Sequence, residues 1–193
     1  MNRIRLLAAT MTVLTAVSVA AQTGTRQPFD GPYISPSRPV TSGLAPSMKV
    51  KLVMDTPQEK VYSIVFSKGD EALSGLTDFA KKYHVVDGHF TAIGAVSSAT
   101  VAWLDLSIKK YHRISIPEQV EVLSMVGDIS TYQGKPMIHM HAVFARHDGS
   151  TIGGHIFEAN VNPTLEVFVT AYPTPLERRP DDASGMKVIE PTM

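Results

Sequence analysis

The stretch Met137-Ile138-His139-Met140-His141-Ala142-Val143-Phe144-Ala145-Arg146, followed by His147-Asp148-Gly149 and then Ser150-Thr151-Ile152-Gly153-Gly154-His155-Ile156-Phe157-Glu158, decides how the chain is read. Two apolar runs flank an Asp-Gly turn, the pattern of a β-hairpin. On a strand, side chains two apart leave the same face, so His139 and His141 point the same way. Whether His155 joins them depends on the turn. A two-residue Asp148-Gly149 loop sets His147 opposite Ser150 and sends His155 to the other face. A three-residue His147-Asp148-Gly149 loop, a type I turn closed by Gly149 in the left-handed region, pairs Arg146 with Ser150 and His141 with His155. Directly opposed residues share a face, with Cβ atoms roughly 4.5–5.5 Å apart. In that register three imidazoles converge.

Three neutral imidazole nitrogens with a fourth position open suit Zn²⁺, and other imidazole-accepting metals as well. The plainer alternative is a half-buried polar face, the common fate of a His-x-His pair on a strand. The register argument is what lifts His139, His141 and His155 above that alternative as metal ligands. His147 falls in the turn and reads as solvated. His84, at a helix end where a cation suits the helix dipole, reads as surface. His89 and His112 are weaker candidates that would have to reach the metal across a subunit boundary.

The 193 residues suggest one domain with tails, and 44% hydrophobic content is enough for a sizeable core. There is no cysteine, which excludes disulfides, thiolate ligands, a Cys nucleophile and a lipidated N-terminus. Formal net charge is zero, so nothing global points toward nucleic acid. Arg3 and Arg5 followed by the uncharged run Leu6–Ala20 and small residues at Val19-Ala20-Ala21 read as a signal peptide over residues 1–21. The run is shorter than the ~20 residues a membrane-spanning helix needs. Export to a periplasm, or secretion, is the expectation. Residues 22–47, broken by Pro28, Pro32, Pro36, Pro39 and Pro46, read as a linker lying extended along the domain or disordered.

The folded domain is expected over 48–175. Val50–Met54 and Val61–Phe66 read as strands. Asp70 is placed to N-cap a helix from Glu71 to about Tyr83, with Leu73, Leu76, Phe79 and Ala80 on one face and Gly75 as a weak point. Phe90–Val96 and Ala99–Leu104 read as strands around Ser97-Ser98. Tyr111–Ile116, Val120–Asp128, Met137–Arg146, Thr151–Val161 and Leu165–Ala171 follow, with turns at Pro117-Glu118, Gln133-Gly134-Lys135 and Asn162-Pro163. One principal helix among sequential strands argues for α+β, mainly antiparallel and twisted. Trp103 reads as a core or subunit-interface residue. The Pro-, Arg- and Asp-rich stretch 176–193 reads as a solvated C-terminal tail.

Several of these segments, in order, resemble the PPC (plants and prokaryotes conserved) domain in its prokaryotic form. They are Gly94-Ala95-Val96-Ser97-Ser98-Ala99-Thr100, Glu121-Val122-Leu123-Ser124-Met125-Val126-Gly127-Asp128-Ile129, the hairpin, Gly153-Gly154-His155, and Pro163-Thr164-Leu165-Glu166-Val167. They span roughly Val50 to Arg178. The resemblance implies an α+β domain assembled as a homotrimer, with a metal on His139, His141 and His155 as in some prokaryotic members. The same fold group includes acetolactate decarboxylase, a three-His zinc enzyme, an analogy that transfers no activity. Plant members carry an Arg-Gly-Arg-Pro core that enters the DNA minor groove; this chain has none. Nucleic-acid binding therefore ranks last. A trimeric metal-binding domain holding a small anionic or carbonyl ligand ranks first, and a metal-dependent hydrolase or decarboxylase-like enzyme second. An enzyme would need a general acid or base. Glu158 lies on the hairpin but in this register faces away from His155, and Glu121 and Glu166 are the candidates from other strands. Each has the plainer role of a structural acceptor or solvated charge.

Overall fold

The computed structural model describes residues 24–192; the leader read over residues 1–21 lies outside them. In chain order the elements are β1 (Tyr33–Ile34), β2 (Lys49–Asp55), β3 (Lys60–Ser67), α1 (Ala72–Lys82), β4 (Asp87–Asp105), β5 (Lys110–Ile116), β6 (Val120–Tyr132), β7 (Lys135–Ala145), β8 (Thr151–Tyr172), β9 (Arg178–Asp181) and β10 (Met186–Ile189). Eight strands form one antiparallel sheet in the order β1-β5-β4-β6-β7-β8-β3-β2, and β4 also pairs with β8. The pairings β4–β6, β6–β7, β7–β8 and β8–β4 therefore close into a ring. The α+β class and the predominantly antiparallel sheet follow the expectation, with α1 the one α-helix among the described residues.

Two pairs of expected strands are continuous. Ser97-Ser98 is a register shift inside the 19-residue β4, since two serines without Gly or Pro can stay extended. Asn162-Pro163 lies inside the 22-residue β8. Between Val161, opposite Val96, and Leu165, opposite Gly94, β8 takes more residues than β4, so Pro163 sits in a bulge where no ladder N–H is required. The local turn chemistry is real, but pairing along both flanks of each strand overrides it.

The helix also starts one residue later than expected. Glu71 is the N-cap, its carboxylate accepting from the Leu73 and Ser74 N–H groups at 3.1 and 2.7 Å and from Ala159 N–H of β8 at 2.9 Å. Asp70 instead accepts from Ser47 and Ser67 N–H and ties the incoming chain to β3. Burial pushes the Glu71 carboxyl up to about 7, against the pull of its three backbone donors. Gly75 carries a helix penalty of about 1 kcal/mol, yet a Cβ there would strike the Phe66 ring and Ala45. The close approach of α1 to β3 requires it.

The core lies between α1 and one face of the ring, with Phe66, Phe79, Phe90 and Phe144 fully buried. Each such ring adds about 2–3 kcal/mol relative to exposure. Met140, Ala142, Phe144 and Ile156 point inward, which turns His139, His141 and His155 outward. Both terminal segments are built onto the sheet. Part of the 22–47 stretch pairs as β1 with β5, and Gly43 and Leu44 N–H bond to Asp78 and Ser74 of α1. The expected solvated tail folds as the β9–β10 hairpin, with Arg178 buried. Trp103 is 63% exposed, which rules out the core reading within this chain.

Candidate metal centre

The turn between β7 and β8 sets the site. Arg146 N–H donates to Ser150 C=O and Gly149 N–H to Arg146 C=O, both at 2.9 Å, and Gly149 has φ +81°. This is the three-residue loop, and it puts His141 opposite His155. One nitrogen from each of His139, His141 and His155 lies within 4.8 Å of the others, a group that could hold a metal ion. The paired glycines fit beside it: a Cβ on Gly154 would come within 2.8 Å of the Ala102 carbonyl oxygen, and one on Gly153 would overlap that of Ala142. His147 is exposed in the turn, and His84, His89 and His112 are exposed and outside the cluster.

A second hairpin brings in a carboxylate that the sequence reading missed. Gln133 (φ +53°) and Gly134 (φ +70°) make a two-residue turn of the primed type between Tyr132 and Lys135. Counting back along that ladder puts Asp128 opposite His139. Asp128 Oδ2 lies 3.2 Å from His139 Nδ1. Its other oxygen accepts from Arg178 at 2.6 Å, and Arg178 also donates to Ser130 Oγ at 2.6 Å and Lys187 C=O at 2.7 Å. Burial alone would raise the Asp128 carboxyl, but His139 and Arg178 together hold it below its usual value.

That pair determines the lone pairs. An ionised carboxylate only accepts, so His139 Nδ1 carries the proton and Nε2 of the neutral ring is the free donor atom. His139 Nε2 lies 3.2 Å from His141 Nε2. Burial, then His139, lowers the His141 pKa. Burial, reinforced by His139, His141 and Arg178, takes His155 down to about 3. At neutral pH both are uncharged, the form that ligates.

His155 is held differently, by stacking. The Tyr111 ring lies 4.6 Å away at 24°, and the Phe157 ring 5.0 Å away edge-on. Its Nδ1 is buried without a hydrogen-bond partner. A buried polar atom left so is costly unless an ion or water meets it. Donor chemistry, tautomer and this orphaned nitrogen all fit a metal. The three glutamates proposed as acid or base stand apart: Glu158 bonds Asn160, while Glu121 and Glu166 are exposed and pair with Ala145 and with Val65 and Ile93. A pocket of about 430 Å³ opens beside His139 and His155, between α1, the Pro36–Val40 segment, the β6–β7 turn and the β9–β10 hairpin.

Known structures share this architecture. A plant- and prokaryote-conserved protein from Pyrococcus horikoshii superposes with TM-score 0.65 at 24% identity, over 72% of this chain and 99% of that one, a likeness of fold. A metal-containing protein from Archaeoglobus fulgidus gives 0.65 at 29% identity, over 72% and 98%. A candidate DNA-binding protein from Ralstonia eutropha gives 0.65 at 31% identity, over 71% and 94%. No protein of curated function matches the chain. The Plants and Prokaryotes Conserved (PCC) domain model matches residues 55–173, most of the folded part, and the chain belongs to that family.

Proposed function

We propose that this chain is an exported, homotrimeric metal-binding protein in which His139, His141 and His155 hold one divalent ion, Zn²⁺ by donor set, with an open position for a small carbonyl or anionic ligand. The observation that carries the reading is the convergence of three ring nitrogens within 4.8 Å, with Asp128 orienting one of them. A bound ion there would polarise a carbonyl or lower the pKa of bound water to about 7. The chain's own residues do the rest: Asp128 keeps the His139 lone pair inward, Tyr111 and Phe157 fix the His155 plane, and the adjoining pocket admits the ligand. Metal analysis of purified protein after dialysis against a weak chelator tests this. One ion per chain, lost in His141→Ala, is the expected result; equal metal in both proteins refutes it.

Binding is preferred to turnover because none of Glu121, Glu158 and Glu166 joins the cluster and Asp128 is committed to His139 and Arg178. A hydrolase or decarboxylase-like enzyme remains the second reading, supported by the open position, and turnover by metal-loaded protein would establish it. DNA binding stands third. The relative from Ralstonia eutropha favours it, while the zero net charge disfavours it. A salt-dependent gel shift would bring it forward.

The trimer is supported by an outward apolar strip. Val126 and Phe168 both pair with Thr91, Val126 also pairs with His141, and Val126, Phe168, Ile93, Leu123 and Val143 are exposed. A patch of this kind needs cover. Sedimentation equilibrium should give a trimer that Val126→Glu weakens; a wild-type monomer across concentrations refutes it. Export rests on the leader pattern of residues 1–21. N-terminal sequencing from the source cell should start near residue 22, and an intact Met1 in the soluble cytoplasm refutes it.

A further inference from the structure

The pocket beside the imidazoles is ordered by charge. Its volume of about 430 Å³ falls in the range of small-molecule sites, ~300–1,000 Å³. Arg38, Lys81, Lys135, Arg178 and Lys187 line it, and among the described residues no carboxylate does. Three of these cations are already engaged. Arg178 gives one bond from each of its three nitrogens, to Ser130, Asp128 and the Lys187 carbonyl. Lys81 donates to Ser42 and lies near Asp78. Arg38 donates to the Gln27 and Pro28 carbonyls and lies over Phe29. Two remain. Lys135 has no ion-pair or hydrogen-bond partner through its side chain among the described residues, and Lys187 Nζ sits 4.5 Å over the Tyr132 ring, a contact that leaves its N–H groups free.

The free lysines and the imidazoles stand at opposite ends. Lys135, Met137 and His139 alternate on one face of β7 and all line the pocket. At ~3.3 Å per residue, Lys135 and His139 are about 13 Å apart along the strand. Between them on the strand stands Met137; Tyr132, opposite Lys135 and under Lys187, and Tyr111, stacked on His155, line the same pocket. The sequence along the wall is cation, apolar surface, imidazole.

We propose that this pocket takes an organic anion, a carboxylate or phosphate monoester on an aromatic body. The charge sits at Lys135 and Lys187, the ring against Met137 and the tyrosines, and the far end reaches toward the imidazoles. The proposal deepens the metal-centre reading by choosing an anion with an apolar body over a neutral carbonyl compound or an inorganic ion, and rests on that reading only for the ligand's far end. Arg38, Arg178, Met186 and Lys187 lie outside residues 55–173, so the family match does not itself assign this pocket a ligand.

Titration calorimetry on the full-length protein, zinc-loaded and metal-stripped, tests it with four probes: benzoate, phenyl phosphate, benzyl alcohol and inorganic phosphate. One or both aromatic anions should bind at least about tenfold more tightly than the other two, the scale of one charge-assisted hydrogen bond. The Lys135→Gln/Lys187→Gln double variant should lose that preference about tenfold while keeping its metal. Equal binding of all four probes, no binding of either aromatic anion at millimolar concentration, or an unchanged double variant overturns the proposal. The two readings fail separately. Lysine-dependent anion binding by protein that takes up no zinc on loading upholds the pocket and refutes the metal centre; zinc uptake with no anion binding does the reverse.

Discussion

The β7–β8 and β9–β10 hairpins meet at one site and serve it by different physics. The first supplies His139, His141 and His155 through backbone register, which its three-residue turn sets all at once. The second supplies one side chain, Arg178, whose guanidinium grips Asp128 and Ser130 from beside the end of β6. Ladder register is all-or-none, because a one-residue slip reverses every facing beyond it. A charge clamp is graded, because removing it leaves the ligands in place but loosens the carboxylate that orients one of them. Damage to the first hairpin should abolish the centre, and damage to the second should weaken it.

The largest effect belongs to the first hairpin. His141→Ala, or one glycine inserted between Asp148 and Gly149, should reduce metal affinity by more than ~100-fold, beyond the range of outer partners. Competition with a chromophoric chelator measures it. If the insertion mutant keeps wild-type affinity, register is not what assembles the ligands.

Asp128→Asn comes next, with about 10–100-fold weaker metal binding, because the amide no longer enforces the Nδ1–H form of His139. Arg178→Ala should cost about tenfold at the metal by the same logic, and about 2 kcal/mol of stability from lost charge-assisted bonds, read by chemical denaturation. Arg178→Lys should recover little, since one ammonium cannot reproduce the fork to Ser130 and Asp128. An Arg178→Ala protein as metal-free as His141→Ala would erase the distinction between the two hairpins.

Acid should act more gently on the metal-free protein. His155 is depressed from 6.5 to about 3, so the unfolded chain takes up its proton first and stability is lost as pH falls from 6.5 toward 3. Glu71 has the opposite sign. Its raised value means stability is lost as pH rises from 4.5 through about 7. Between 4.5 and 6.5 the two oppose each other, and the denaturation midpoint should change little. Glu71→Gln should expose the His155 slope as a steady fall with acidification in that interval. Metal-loaded protein should lose its ion only below the ordinary imidazole range, because His141 is lowered as well. Metal content indifferent to pH between about 5 and 8 and retained well below it would implicate carboxylate ligands instead. The smallest effect is expected for His147→Ala, in the exposed turn, where metal content and stability should match the parent.

Much of the site was legible in local sequence. His147-Asp148-Gly149 encodes a turn, the turn encodes a register, and the register brings His141 to His155. Gln133-Gly134 carried the same kind of information. Extending its ladder would have placed Asp128 against His139 and Ser130 on the same face. Turn chemistry was less reliable at Ser97-Ser98 and Asn162-Pro163, where pairing on both flanks absorbs the irregularity as bulges.

By itself, then, the sequence determined the α+β class, the shared face of the histidines and their pairing, because these depend on side-chain alternation and turn geometry over a few residues. Only the tertiary structure decided that Glu71 rather than Asp70 caps the helix, because Asp70's oxygens are taken by Ser47 and Ser67. Only it decided that the polar 176–193 stretch belongs to the site. Arg178 and Asp128 are 50 residues apart, and no periodicity links them. Their bond depends on where the ring of strands carries two distant segments, and on the cost of leaving the buried Arg178 guanidinium without a partner.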